Sequence, residues 1–322
     1  MLRDALLALG GSSLARRIAT DAPFSRSIAR RFVAGEKPQE AIEAARVLNR
    51  SGMHVSLDYL GEAVVSAEEA LSAAATIERV VRDVASESLD ANVSVKLTQL
   101  GQDIDGAFLG RAVGPLLDAA EECGVFIRFD MESTDYTQRT LDFFEECWNA
   151  GRRGIGVVLQ SYLYRTEKDV AWANALGARV RLCKGAYKEP ESVAYPDKED
   201  VDANFVRCMR ALLADGNHPG IATHDEAMIR ATKRFARDED IDRDRFEFQM
   251  LYGVRRDVQQ RLVAEGYHVR IYVPFGEAWY PYFMRRMAER PANLFFVVDS
   301  LVRESPLGFL RGGSRDARRR AS

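Results

Sequence analysis

Cysteine and histidine are both scarce in this chain of 322 residues, with four of each. No CxxC pair and no Cys/His ligand spacing occurs, so Cys123, Cys147, Cys183 and Cys208 read as free thiols and no metal is expected. Net charge is nearly absent as well: a formal value of -3 gives no field that would hold nucleic acid, which is excluded as a partner. There is no apolar run of the roughly 18 residues that a membrane-spanning helix needs. The opening residues 1–10 are too short and too interrupted for a secretory signal with a cleavage site. The expected location is therefore the cytoplasm.

What the chain does have is an alternation. Runs rich in β-branched and aromatic residues at 54–60, 92–100, 125–132, 154–162, 179–186, 220–224, 246–252 and 268–274 alternate with amphipathic stretches at 67–86, 107–123, 136–149, 168–176, 201–215, 226–237 and 256–265, and the last run leads into a further helical segment. Eight βα units predict an α/β fold, a distorted (βα)8 barrel of the TIM type. A doubly wound sheet is disfavoured because no GxGxxG follows the first strand. Residues 1–50 read as an N-terminal helical arm with helices at 2–18, 24–32 and 38–48, residues 51–310 as the barrel, and residues 311–322, with five arginines, as a disordered basic tail.

Side chains on a barrel strand alternate between the lumen and the helices outside, so each run separates into two faces. In the third run Val125, Ile127, Phe129 and Met131 form the apolar face, which sends Phe126, Arg128, Asp130 and Glu132 inward. The same parity sends inward Ser56 and Asp58, then Ser94, Lys96 and Thr98, then Gln160, Arg181 and Cys183, then Glu247, Gln249 and Leu251, and finally Arg270 and Tyr272. Isolated buried charges are costly, so Asp58, Lys96, Arg128, Asp130, Arg181, Glu247 and Arg270 are expected to pair with one another or with a polar ligand. Asp58, Arg128, Glu247 and Arg270 are read as structural, whereas Lys96, Asp130 and Arg181 lie near the carboxyl ends, where barrel enzymes bind ligands. Beyond the last run, Tyr282, Arg285, Arg286 and Glu289 follow Pro274-Phe275-Gly276, and two adjacent arginines suit a small carboxylate.

Together, Ser94-Val95-Lys96-Leu97-Thr98-Gln99-Leu100-Gly101, Arg128-Phe129-Asp130-Met131-Glu132, Arg181-Leu182-Cys183-Lys184-Gly185-Ala186-Tyr187, Ala222-Thr223-His224, Glu247-Phe248-Gln249-Met250-Leu251-Tyr252-Gly253 and Tyr282-Phe283-Met284-Arg285-Arg286-Met287-Ala288-Glu289 resemble the proline dehydrogenase family, in order and across the barrel. In length the chain is similar to the single-activity bacterial enzymes. The resemblance implies non-covalent FAD, oxidation of L-proline to pyrroline-5-carboxylate by hydride transfer, and a membrane quinone as electron acceptor, with peripheral contact at the inner face of the membrane. It assigns catalytic roles to Arg181, Lys96 and Asp130, the last tying down a side chain of the final helix. Lys96, Arg285 and Arg286 would bind the carboxylate, and Tyr272, Tyr282 and Leu251 would wall the ring. Gln160, Arg181, Cys183, Lys184, Gly185, Ala186, Thr223 and His224 would contact the cofactor. Glu289 is counted with them and can pair with an arginine one turn away, and Tyr187 would gate the mouth. Two departures are modest: Cys183 stands where the family often has valine, and Pro281 precedes the paired arginines.

Three other readings stay open at this point. One is a barrel aldolase forming a Schiff base through Lys96 or Lys184. Another is a hydroxyproline dehydrogenase, against which the bulk of Tyr272 argues. The third is a binding barrel without catalysis. The oligomeric state is not read from the sequence.

Overall fold

The computed structural model describes residues 30–61 and 64–289, except for the side chains of 285–289. The chain divides into two compact units, one spanning Ala34–Gly276 and one formed by the segments on either side of it. In the larger unit, α1 (Pro38–Arg50) precedes β1 (His54–Tyr59), α2 (Ala67–Ser86), β2 (Ala91–Val95), α3 (Gly106–Cys123) and β3 (Ile127–Phe129). There follow α4 (Thr134–Asn149), β4 (Ile155–Gln160), α5 (Thr166–Leu176), β5 (Arg179–Cys183), α6 (Lys198–Asp215) and β6 (Gly220–Ala222). The unit ends with α7 (Glu226–Asp238), β7 (Glu247–Leu251), α8 (Arg256–Ala264) and β8 (His268–Phe275).

The strands pair in parallel in chain order and close into a barrel, with β8 returning to β1. Local chemistry explains the punctuation. Asp105 caps α3 by accepting from Phe108 N at 2.6 Å, and Gly124 ends that helix at a φ of 66°, where a side chain would be strained. The outward strand faces are buried beneath the helices, as Val93, Val95, Ile127, Phe129, Val269, Ile271 and Val273 all are. The parity expected from sequence holds, because the polar partners of these residues meet across the lumen.

Two expected strands, β2 and β3, fall shortest of their apolar runs. β2 stops at Val95, and Leu97–Leu100 turns as a 3-10 helix that Gly101 ends at a φ of 90°. The cause is polar: Glu132 receives the Thr98 hydroxyl at 2.8 Å, drawing that backbone out of the ladder. β3 covers only Ile127–Phe129, although Asp130 N still reaches Val95 O at 2.9 Å. Lys96, Asp130 and Lys184 thus stand just past the strand ends.

Of the expected arm, the segment 38–48 lies in α1, which packs on β1 and β8 through Ala41, Ile42 and Ala45. The helix expected at 2–18, all but the last three residues of that expected at 24–32, and the tail at 311–322 lie outside the described residues. In the second unit, α9 (Trp279–Glu289) carries the paired arginines, and Trp279 and Phe283, one turn apart, meet edge-on at 6.2 Å. The side chains of Arg285, Arg286 and Glu289 lie outside the described residues. Among the described residues no helix is long and apolar enough to cross a membrane.

Two arginines, Arg128 buried and Arg270 half-buried, show how the lumen tolerates charge. Arg128, expected to find a carboxylate or a ligand, instead donates to the carbonyls of Val157 at 3.2 Å and Arg179 at 2.8 Å, with the Phe126 ring 4.9 Å below. Burial, and then the neighbouring Arg181, push its guanidinium well below the usual arginine range. Gly156 makes room for this arrangement, since a Cβ there would lie 2.5 Å from Arg179 O and 2.7 Å from the Phe126 ring. Arg270 forms an ordinary pair, its Nε donating to Glu247 Oε1 at 2.7 Å and its Nη1 to Val55 O at 2.8 Å.

Burial alone would raise the Glu247 carboxyl, but the charge and hydrogen bond of Arg270 bring it down to about 2, below its ordinary 4.5. A depressed folded-state value adds stability above the unfolded value, and that stability is lost as pH falls toward the folded one. The expected contribution is on the order of 3 kcal/mol. Urea unfolding should therefore find Glu247→Gln less stable than the parent at pH 7, with the gap closing from about pH 4.5 toward about pH 2. A gap that does not change with pH would show that the pair carries no such linkage.

Candidate active site

The lumen of the barrel holds an array of charge built from six strands. Arg181 on β5 sends Nη1 to Asp130 Oδ1 at 2.8 Å and Nη2 to the hydroxyls of Ser56 on β1 at 3.0 Å and Ser94 on β2 at 3.2 Å. Its Nε donates to Gln249 Oε1 on β7. The other carboxylate oxygen of Asp130, Oδ2, receives the Tyr272 hydroxyl from β8 at 2.6 Å. The Arg181 guanidinium lies 5.1 Å from the centre of the Tyr272 ring, so cation and phenol are held together by one carboxylate and by their own contact.

Lys96 adds a second cation. Its Nζ donates to Asp58 Oδ1 at 2.7 Å and to the Tyr272 hydroxyl at 3.5 Å, with Asp130 Oδ2 at 4.0 Å. Two ammonium or guanidinium groups thus face two carboxylates, which is how buried charge becomes tolerable. The balance is imperfect at Asp58, whose Oδ2 is buried without a hydrogen-bond partner among the described residues. Burial raises the Asp58 carboxyl above its ordinary value, against the pull of Lys96. Tyr272 is likewise pushed well above the usual phenol range, by burial and then by the charges of Asp130 and Asp58. It therefore stays a neutral donor.

Around the mouth, several expected residues on and just past the strands have a definite setting. Gln160 at the end of β4 donates from Nε2 to Glu132 O at 2.9 Å. Lys184, just past β5, is paired with Asp225 at 2.8 Å and with Asp202. Asp225 also caps α7 through Ala227 N at 2.9 Å; burial opposes its ionisation, but Lys184 and the capping amide bring it to about 2. Thr223 Oγ1 accepts from Asp225 N at 3.0 Å, and His224 Nε2 accepts from Leu251 N at 2.9 Å, which leaves the ring proton on Nδ1. The carbonyls of Cys183 and Lys184 are taken by Ser161 N at 2.8 Å and Tyr162 N at 2.9 Å. Gly185 adopts a φ of 120°, which favours glycine, and a Cβ there would strike the Tyr162 ring at 2.6 Å. Tyr187 lies beside these residues, partly exposed.

The structure brings Lys96, Asp130, Arg181 and Tyr272 into one cluster. Asp130, expected to tie down a side chain of the final helix, holds Arg181 and Tyr272 from β5 and β8. Partners that sequence reasoning placed in the lumen without a role are Ser56, Ser94 and Gln249. Asp225 was missed altogether, and the signal for it was available: an Asp directly before an amphipathic helix is an N-cap pattern.

The residues present fit a flavin. Among the described residues, four of the five N–H groups of Arg181 are engaged and one on Nη1 remains, in a buried position where fixed positive charge favours an electron-rich ring. The peptide N–H groups of Gly185 and Ala186 make no hydrogen bond among the described residues, so they too can serve a bound group.

Residues 41–299 match the family model described as proline dehydrogenase. The chain is 41% identical over 302 residues to proline dehydrogenase 2 of Bacillus subtilis (strain 168), covering 94% of this chain and 99% of that protein. It is 43% identical over 281 residues to a proline dehydrogenase of Deinococcus radiodurans, covering 86% and 91%. Among solved structures, proline utilization A (PutA) from Bdellovibrio bacteriovorus inactivated by N-propargylglycine superposes with a TM-score of 0.76 at 28% identity. That match covers 91% of this chain but only 34% of the longer protein.

Proposed function

Because the chain belongs to the proline dehydrogenase family, its reaction is the oxidation of proline, and we propose that it works with non-covalent FAD, forms pyrroline-5-carboxylate and passes the electrons to a membrane quinone. The observation that carries this reading is the Arg181–Asp130–Tyr272 cluster, a rigid polar array in a lumen that barrels ordinarily fill with apolar side chains. Bound FAD supplies the acceptor for the hydride released from the ring carbon beside the proline nitrogen. Everything else is orientation and electrostatics. Arg181 holds a fixed positive charge beside the redox centre, Gln160 serves the pyrimidine end, and residues 183–186 offer backbone. Thr223 and His224 serve the phosphates, Glu289 pairs with a neighbouring arginine beside the cofactor, and Tyr187 gates the mouth.

On the substrate side, Lys96, Arg285 and Arg286 take the proline carboxylate, while Tyr272, Tyr282 and Leu251 wall the ring. The support for Lys96 is its ammonium, already held beside the Tyr272 hydroxyl. The support for the two arginines is their motif position. The chain works in the cytoplasm and touches the membrane peripherally to reach its quinone. A Schiff-base aldolase is less well supported, because its lysine needs a nitrogen open to attack, and the Nζ of both Lys96 and Lys184 is engaged with carboxylates.

Three measurements test this reading. Anaerobic mixing with L-proline should bleach the absorbance of the bound flavin; a colourless protein, or flavin that proline leaves oxidised, would remove the proposal. Arg285→Met or Arg286→Met should each raise KM for proline, since losing a charged donor to a buried carboxylate costs about 2–5 kcal/mol, roughly 30-fold or more. Saturation like that of the parent in both variants would take the carboxylate site away from this helix. Tyr272→Ser should weaken proline binding and raise the ratio of hydroxyproline to proline turnover, because the phenol crowds a ring hydroxyl. An unchanged ratio would refute the steric argument.

A further inference from the structure

We infer that Gln249 is a positioning residue for the Arg181 guanidinium, with its own amide oriented by Glu247 and given room by Gly220; this rests on the reading that Arg181 faces the flavin. The amide has only one orientation open to it. Glu247 is ionised at neutral pH and accepts from Arg270 Nε at 2.7 Å, so it can take only the NH2 end of Gln249, which it does at 2.5 Å. The amide oxygen is thereby turned to Arg181 Nε. A flipped amide would set its oxygen against a carboxylate and its NH2 against a guanidinium, and both contacts would be repulsive.

The register makes the space. Gly220 stands between Arg181 on β5 and Glu247 on β7, paired with both. A Cβ at this position would lie 2.6 Å from Gln249 Cδ, inside the volume that the amide occupies. Any side chain at 220 would therefore push the amide off Arg181.

Acceptors then surround all three nitrogens of the guanidinium: Gln249 at Nε, Asp130 at Nη1, and Ser56 and Ser94 at Nη2. Asp130 and the two serine hydroxyls hold the Nη1 and Nη2 ends, and the Gln249 contact at Nε adds the third point that fixes the plane of the guanidinium. Without Gln249 a buried N–H loses its partner, and the cation turns to seek another. The charge stays in the lumen but no longer stands where reduction of the flavin needs it. Gln249 makes none of the carboxylate contacts assigned to Lys96, Arg285 and Arg286, so the loss should fall on turnover more than on binding.

The experiment compares parent holoenzyme with Gln249→Leu and with Gly220→Ala, the second displacing the same amide without altering it. The readouts are kcat and KM for proline, the flavin midpoint potential, and the arginine Nε–H resonances by NMR, with that of Arg181 identified through Arg181→Lys. The expected result in both variants is a kcat at least tenfold lower, a KM within threefold of the parent, a more negative midpoint potential and an upfield shift of the Arg181 Nε–H signal. Unchanged kcat, potential and resonance in variants that fold and hold flavin would overturn the inference, as would a loss confined to thermal stability. If either variant fails to fold, the other decides. Parent flavin that proline does not reduce would overturn the functional reading, and this inference with it; parent flavin that is reduced while the variants match it would overturn this inference alone.

Discussion

A charge placed inside a closed barrel must be answered inside the barrel, and the ion pair between Arg181 and Asp130 is where this chain answers it. The pair is nearly sealed from solvent, so neither member can be removed without stranding the other. Its geometry also constrains everything around it. Asp130 spends one oxygen on Arg181 and the other on Tyr272, so that a strand-five cation and a strand-eight phenol are held at a set spacing by a strand-three carboxylate. Three strands far apart in sequence thus act as one rigid part, and rigidity of that kind is what a hydride transfer asks of its surroundings.

The same constraint shapes the strand ends. β2 and β3 are short because Lys96, Thr98, Asp130 and Glu132 use their polar groups across the mouth and not along the ladder. Just past β5, the turn through Gly185 follows the same logic: Lys184 leaves the sheet to pair with Asp225 at the start of α7. Stability and function meet here without conflict. Residues toward the amino ends, such as Arg128 over Phe126 and Arg270 with Glu247, are served by protein groups, although Arg128 Nε and Glu247 Oε2 are buried without a hydrogen-bond partner among the described residues.

Much of this was legible from alternation alone. Once the apolar side of a run is known, the other side must face the lumen, and that sufficed to place Asp58, Lys96, Asp130, Arg181, Glu247 and Tyr272 there. Parity gives no height along the barrel and no partner across it, because those depend on the stagger accumulated over eight strands. Hence Gln249, Ser56 and Ser94 stood in the lumen without a role. Arg128 was expected to meet a carboxylate when two carbonyls and a ring serve it. The end of β2 was overrun because Leu97 and Leu100 are as apolar as any strand residue, and the turn they make is set by Glu132, more than thirty positions away. The family motifs supplied roles that no periodicity carries.

A carboxylate among cations in a proline-oxidising site invites a reading as the base that takes the amine proton. Both Asp130 oxygens already have structural work: Oδ1 accepts from a guanidinium and Oδ2 from a phenol whose own proton is held far from release, so a substrate proton would have to compete with both partners. Asp130 is the tie between Arg181 and Tyr272, so that on the proposed function the residue walling the substrate and the residue facing the flavin are positioned by a single carboxylate.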